Sequence, residues 1–143
     1  MRKNFSTGAK WEDIVGYSRA VQVDNQLEVT GTVAVDENGT LVGKDDFYEQ
    51  TRFILGKMAR VIESAGFALS DVVRTRIFVT DISKWEEVGR AHQQFFGTIK
   101  PATTMVEVSA LISPEYLVEV EASLIKSAGG EVKRQRLELW STR

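Results

Sequence analysis

The stretch Lys100-Pro101-Ala102-Thr103-Thr104-Met105-Val106-Glu107-Val108-Ser109-Ala110-Leu111 is followed, after a short turn, by Leu117-Val118-Glu119-Val120-Glu121-Ala122-Ser123. Read at a period of two, the second run sends Val118, Val120, Ala122 and Leu124 to one side and Glu119, Glu121 and Ser123 to the other. Residues 72–80 repeat the pattern, with Val73, Thr75, Ile77 and Val79 on one face and Arg74, Arg76 and Phe78 on the opposite one. Such a sheet has one apolar face that needs cover. Its charged face is either solvent surface or a polar junction between subunits.

Working outward, residues 17–23 and 27–35 read as two further strands joined at Asp24-Asn25, whose short side chains tolerate a left-handed backbone. Glu37-Asn38-Gly39 is a second turn. Asp45 or Asp46 caps a helix running to about Ala65, with Phe47, Ile54, Met58, Val61 and Ile62 along one side and Gly66 as its stop. Ser83, with Glu86 three residues on, predicts a capping box for a second helix. Trp85, Val88, His92, Phe95 and Phe96 form the apolar side of that helix. Residues 103–108 and 117–125 are the last strong strands. The order strand-strand-helix-strand-helix-strand-strand predicts an α+β fold, a mixed sheet with two helices on one face. A single domain is expected, with its core over about 10–126. Residues 127–143, broken at Gly129-Gly130, read as an extension that forms either an edge strand or an arm on a neighbouring subunit.

Composition narrows the function. A net charge of −2 over 143 residues argues against a nucleic-acid surface. No apolar run reaches the length of a membrane span, and Met1-Arg2-Lys3-Asn4-Phe5-Ser6 lacks the apolar segment of a signal peptide, so a cytoplasmic location is the default. With no cysteine and one histidine, thiolate chemistry and a histidine-rich metal site are excluded within one chain, and no cofactor is expected.

Several motifs, in order, resemble the YjgF/Rid (endoribonuclease L-PSP) family. They are Gly16-Tyr17-Ser18-Arg19-Ala20, Val29-Thr30-Gly31-Thr32, the run from Asp71 to Asp81, Phe95-Phe96, Pro101-Ala102, Val106-Glu107-Val108 and Val118-Glu119-Val120-Glu121-Ala122. The match covers about residues 17–125. The resemblance implies a chorismate-mutase-like fold, a homotrimer, and small-metabolite sites in clefts between subunits. It also implies imine or enamine hydrolysis in the deaminase members, with Glu119 handling protons and water, Tyr17 covering the ligand, and Thr30 and Gly31 lining the cleft.

Where those deaminases carry Pro-Ala-Arg-Ser, this chain has Pro101-Ala102-Thr103-Thr104. The carboxylate-gripping arginine is replaced by Thr103, which leaves Thr103 and Met105 as backbone-orienting candidates and Arg19 and Arg76 as substitute cations. Either the ligand is not an ordinary 2-imino acid or another cation holds it. Two plainer readings stand beside this one. Glu119 and Glu121 would pair with Arg74 or Arg76 across the sheet as structural ion pairs, and the assembly would bind a metabolite without chemistry. A ribonuclease role, attached to some relatives, fits the acidic composition poorly. His92, among apolar residues, reads as packed at a helix–sheet or subunit boundary.

Overall fold

The computed structural model describes residues 1–127 and 133–139. Six strands, β1 (Arg2–Phe5), β2 (Ala20–Val23), β3 (Gln26–Thr32), β4 (Val72–Val79), β5 (Ala102–Glu107) and β6 (Val118–Ile125), form one sheet in the order β1-β2-β3-β6-β4-β5. Every neighbouring pair is antiparallel except β4–β5, which is parallel. The helices are α1 (Lys10–Val15), α2 (Phe47–Ser64) and α3 (Trp85–Phe96). The expected mixed-sheet α+β architecture is what the chain adopts, with β1 and α1 added ahead of it. The sheet therefore begins at Arg2, before the anticipated core start near residue 10.

Helix α2 forms where expected because Asp46 accepts from the Glu49 N–H at 2.9 Å, satisfying one of the unpaired first-turn donors. Phe47, Gln50, Thr51, Ile54, Leu55, Met58 and Ile62 then recur along one stripe and are buried. The helix stops at Gly66, whose φ of +84° suits glycine. Against the stripe lie Leu27, Val29, Ile77, Val79, Val118, Val120, Ala122 and Leu124, all buried in the same core. Burying each of the larger aliphatic side chains contributes about 1.5–3 kcal/mol. Gln50 is fully buried and ties two loops to the helix, donating to the carbonyls of Gly43 and Glu115 and accepting from the Leu117 N–H, each near 3 Å.

Some local expectations are corrected. Val73 does not join the core face of β4. A register shift between Val72 and Arg74 puts Val72 inside and leaves Val73 exposed. Asp81, not Ser83, caps the approach to α3, accepting from the Ser83 N–H and hydroxyl, and a 3-10 turn (Ile82–Lys84) precedes the α-helix. Trp85 stands exposed at that helix's first position, outside the apolar side set by Val88, Ala91 and Phe96. Strand β2 starts at Ala20, so Tyr17 precedes it in a turn. In the extension, residues 133–139 form no regular strand and are exposed, and Arg134 donates to the Thr98 carbonyl of the same chain. Gly129, Gly130 and Trp140 lie outside the described residues.

Candidate functional site

The face of the sheet away from α2 and α3 carries Glu28, Arg74, Arg76, Phe78, Glu119, Glu121 and Ser123. Register explains how they meet. Arg76 lies opposite Glu121, and Phe78 lies opposite Glu119. Arg76 and Glu121 form an ion pair at 3.5 Å, and Ser123 donates to Glu28 at 2.7 Å. Among the described residues the Glu119 side chain makes no hydrogen bond or ion pair. The two neighbouring carboxylates thus separate. Glu121 follows the structural ion-pair reading, and Glu119 does not.

A β-bulge builds the surroundings of Glu119. Val29 pairs with Ala122 and Thr32 with Val120, so Thr30 and Gly31 together oppose the single residue Glu121. The extra residue is Gly31, and a Cβ placed there would lie 2.2 Å from Oε2 of Glu119. Glycine is what lets the carboxylate lie against the β3 backbone. Burial in this position pushes the Glu119 carboxyl above its ordinary pKa. The neighbouring Glu121 adds to the shift, and the positive charge of Arg19 opposes it.

Arg19 reaches this corner from the turn before β2. Its backbone N–H donates to the Phe5 carbonyl and its carbonyl accepts from the Thr30 N–H, which continues the ladder between β1 and β3. Its guanidinium lies 5.7 Å from the Tyr17 ring centroid and donates to the Gly31 carbonyl at 3.3 Å. It pairs with no carboxylate among the described residues. Lys57 of α2, half-buried and bonded to the Val35 carbonyl at 2.8 Å, has its ammonium pKa lowered by burial and by the charges of Arg19 and Arg60.

Tyr17 and Thr30 line an open cleft of about 460 Å³ bounded by Arg2, Glu12 and Asp13. Thr30 Oγ1 donates to the Ser18 carbonyl, which fixes its side chain beside Tyr17. Glu12 was not anticipated as a site residue. Only 4% exposed, it accepts from the Ser6 hydroxyl, the Thr7 hydroxyl and the Thr7 N–H, while its carbonyl receives the N–H groups of Gly16 and Tyr17. Burial alone would raise its pKa, but those donors and Arg19 outweigh it and hold the carboxyl below its ordinary value. Glu12 therefore anchors α1 and sets where Tyr17 emerges. The Ser6-Thr7 to Glu12 spacing was the available sequence signal.

Pairwise contacts link Tyr17 to Arg19, Arg19 to Gly31 and Gly31 to Glu119, while the cleft itself is lined by Tyr17 and Thr30 and not by Arg19, Gly31 or Glu119; three named residues stand apart. Arg76 is engaged with Glu121. Thr103 and Met105, in register with Thr75 and Ile77 on β4, face the helices rather than Glu119. Thr103 Oγ1 lies 2.8 Å from Thr75 Oγ1, which is 2.9 Å from Nε2 of His92, and Met105 packs on the core. The Thr103 hydroxyl is turned inward within this chain.

The family model described as Endoribonuclease L-PSP matches residues 7–125. An uncharacterized protein of Streptomyces coelicolor, SCO2049, is 32% identical over 126 residues, covering 88% of this chain and 93% of that protein. Among solved structures, Rv2704 of Mycobacterium tuberculosis, a member of the YjgF/YER057c/UK114 family, superposes with a TM-score of 0.80 at 47% identity, covering 88% of this chain and all of the other. The Rid-family protein YyfA of Yersinia pestis gives 0.77 at 30% identity, again over 88% of this chain and all of its own.

Proposed function

The chain belongs to the endoribonuclease L-PSP (YjgF/Rid) family, and from that premise we propose that it is a small-molecule hydrolase acting on the C=N bond of imines, including those formed by tautomerisation of enamines, with Glu119 as the proton-transfer group. The observation that carries this reading is the contrast between adjacent carboxylates: Glu121 is neutralised by Arg76, whereas Glu119 is half-buried, unpaired among the described residues and shifted toward its protonated form. With its pKa raised by burial, one carboxyl group can protonate the imine nitrogen and then, as carboxylate, take a proton from the attacking water. The carbon–oxygen bond forms as the C=N π electrons move to nitrogen. The resulting carbinolamine collapses with a proton on nitrogen, releasing ammonia and the carbonyl product.

Arg19 gives the substrate its orientation. It is a cation beside Glu119 without an acidic partner among the described residues, and its fork geometry suits a carboxylate. In this reading it grips an acidic group from the turn before β2, replacing an arginine on β5 whose position Thr103 occupies. Tyr17, whose ring lies 5.7 Å from the Arg19 guanidinium, covers the ligand from the side of the adjoining cleft. The working unit is a cytoplasmic homotrimer, with the open sheet face forming the junction and the clefts completed between protomers. An RNA-cleaving role is the weaker reading, because Arg74 and Arg76 alternate in space with Glu119 and Glu121 and the net charge is −2.

Ammonia release from freshly generated 2-iminopropionate, and from a neutral ketimine, tests the assignment. Purified protein should accelerate release over buffer, and Glu119→Gln should abolish the acceleration. No acceleration with either compound would remove the hydrolase reading. A thermal-shift response to keto acids in that case would favour a metabolite-binding protein, since a ligand at 100 times its Kd stabilises by about 2.7 kcal/mol.

A further inference from the structure

Strand register lays the charged face of the sheet out in rows. One row runs Ala102, Arg74, Ser123, Glu28, and the next runs Thr104, Arg76, Glu121. In these two rows every charged side chain is bonded. Arg74 donates to the Thr104 hydroxyl at 2.8 Å, Arg76 pairs with Glu121, and Glu28 accepts from Ser123. The third row runs Val106, Phe78, Glu119. Two of its members are bulky and apolar, and the third is the carboxylate of this face that has no partner among the described residues. The core does not account for Phe78. The ring belongs neither to the buried cluster nor to the partly buried residues packed against it, yet it is half-buried.

Phe78 and Glu119 are directly opposed across β4 and β6. Such pairs hold their Cβ atoms about 4.5–5.5 Å apart, with the side chains standing off the sheet beside each other. On the β3 flank the carboxylate meets the bare backbone of Gly31. Neither cross-strand flank therefore offers it a polar side chain. Along β6 the neighbouring charge is Glu121, offset by Arg76 at 3.5 Å. Arg74 and Glu28 lie in the farther row with partners of their own. Arg19, from the turn before β2, is the remaining charge that acts on Glu119, and it favours the ionised form. Loss of water is accordingly the leading influence on this carboxyl, with Glu121 second.

We propose that Phe78 is a positioning residue for the Glu119 site, its ring keeping water off the carboxyl along the β4 flank and confining it against the Gly31 backbone. The catalytic meaning of this contact rests on the proton-transfer role assigned to Glu119, whereas its physical effect does not. With the ring removed, water reaches the charged form, and the carboxyl ionises at lower pH.

Protein labelled with 13C at the glutamate carboxyls reads that effect without any substrate, Glu119 being the resonance missing from Glu119→Gln. In the wild-type protein the Phe78 ring protons should show a nuclear Overhauser effect to the Glu119 methylenes. Phe78→Thr keeps a strand-forming residue and admits water. It should move the Glu119 midpoint to lower pH and cut the protonated fraction at the wild-type midpoint about twofold or more. Phe78→Gln, nearer in length, reads the same shift should the threonine variant not fold. Phe78→Leu, still apolar, should leave the midpoint in place. A missing Overhauser effect, an unmoved midpoint in the polar variants, or an equal shift in Phe78→Leu would each overturn the proposal. In an active protein the acid limb of the pH–rate profile should follow the NMR midpoint down. A shifted midpoint in a protein that hydrolyses neither imine supports the contact and removes the hydrolase reading; hydrolysis with an unmoved midpoint does the reverse.

Discussion

Replacing Gly31 by alanine separates the position of Glu119 from the stability of the sheet that carries it. The new Cβ would lie 2.2 Å from Oε2 of Glu119 and 3.1 Å from its carboxyl carbon. To reach ordinary van der Waals contact the carboxylate must retreat by about 1 Å. It is the free end of a flexible side chain, so it can retreat at a rotamer cost of about 0.5–1.5 kcal/mol. The backbone at Gly31 is not left-handed, so alanine also restricts the unfolded chain and returns about 0.4–1 kcal/mol. The two effects nearly cancel, and denaturant unfolding should register a change within about 1 kcal/mol of zero. Catalysis has no such compensation, since a misplacement of about 1 Å costs on the order of 10²-fold in rate. Moved outward, the carboxyl is less desolvated, so its pKa falls toward the ordinary value, and the acid limb of the pH–rate profile should move down with it. A variant destabilised by several kcal/mol would mean that Gly31 is there for the sheet. Unchanged turnover would mean that the position of Glu119 does not matter to the reaction.

Arg19→Met should raise KM for an acidic imine about tenfold or more, leave the neutral ketimine unaffected, and change kcat less than KM; equal losses on both substrates would remove the carboxylate-gripping role. Glu119→Gln should raise Tm at neutral pH and not at pH 4. A carboxyl whose folded pKa is raised loses stability as pH climbs from its unfolded value through its folded one, and glutamine has nothing to lose. A Tm difference that is the same at both pH values would contradict the burial of that charge. Gln50→Leu strands the Leu117 N–H and the carbonyls of Gly43 and Glu115, and should cost about 2–4 kcal/mol in chemical denaturation. A loss under 1 kcal/mol would show that water replaces those bonds.

The fold was legible where one periodicity ran uninterrupted. In β6 the alternation of Val118, Val120, Ala122 and Leu124 with Glu119, Glu121 and Ser123 matches the observed burial, and α2 follows its stripe from Asp46 to Gly66. Illegible features share a cause: each depends on a partner distant in sequence. The bulge that exposes Val73 is set by pairing with β6. Strand β1 has four residues, none of them fully buried, and exists because β2 is there to pair with it. Strand β5 is exposed along most of both faces, so its own residues do not reveal its phase; pairing of Thr75 with Thr103 decides it and turns Thr103 away from Glu119. For the candidate site, the outward face of Glu119 was readable from its run, while its choice over Glu121 came from the family resemblance. That Glu121 alone would take Arg76, and that Gly31 would make room for the neighbouring carboxylate, required the register of three strands.

The sheet order has a consequence for how the molecule is made. Strand β6, the last of the described strands to be synthesised, lies at the centre between β3 and β4, two strands that never touch each other as neighbours. Until residues 118–125 leave the ribosome, both carry an unpaired edge, and the stripe of α2 lacks Val120, Ala122 and Leu124 to close against. The nascent protein therefore remains open until this strand emerges and completes its core in one long-range event, slow by topology and exposed to self-association beforehand. Chains truncated before Val118 should accumulate as chaperone-bound or insoluble material, while full-length product released from the same ribosomes folds.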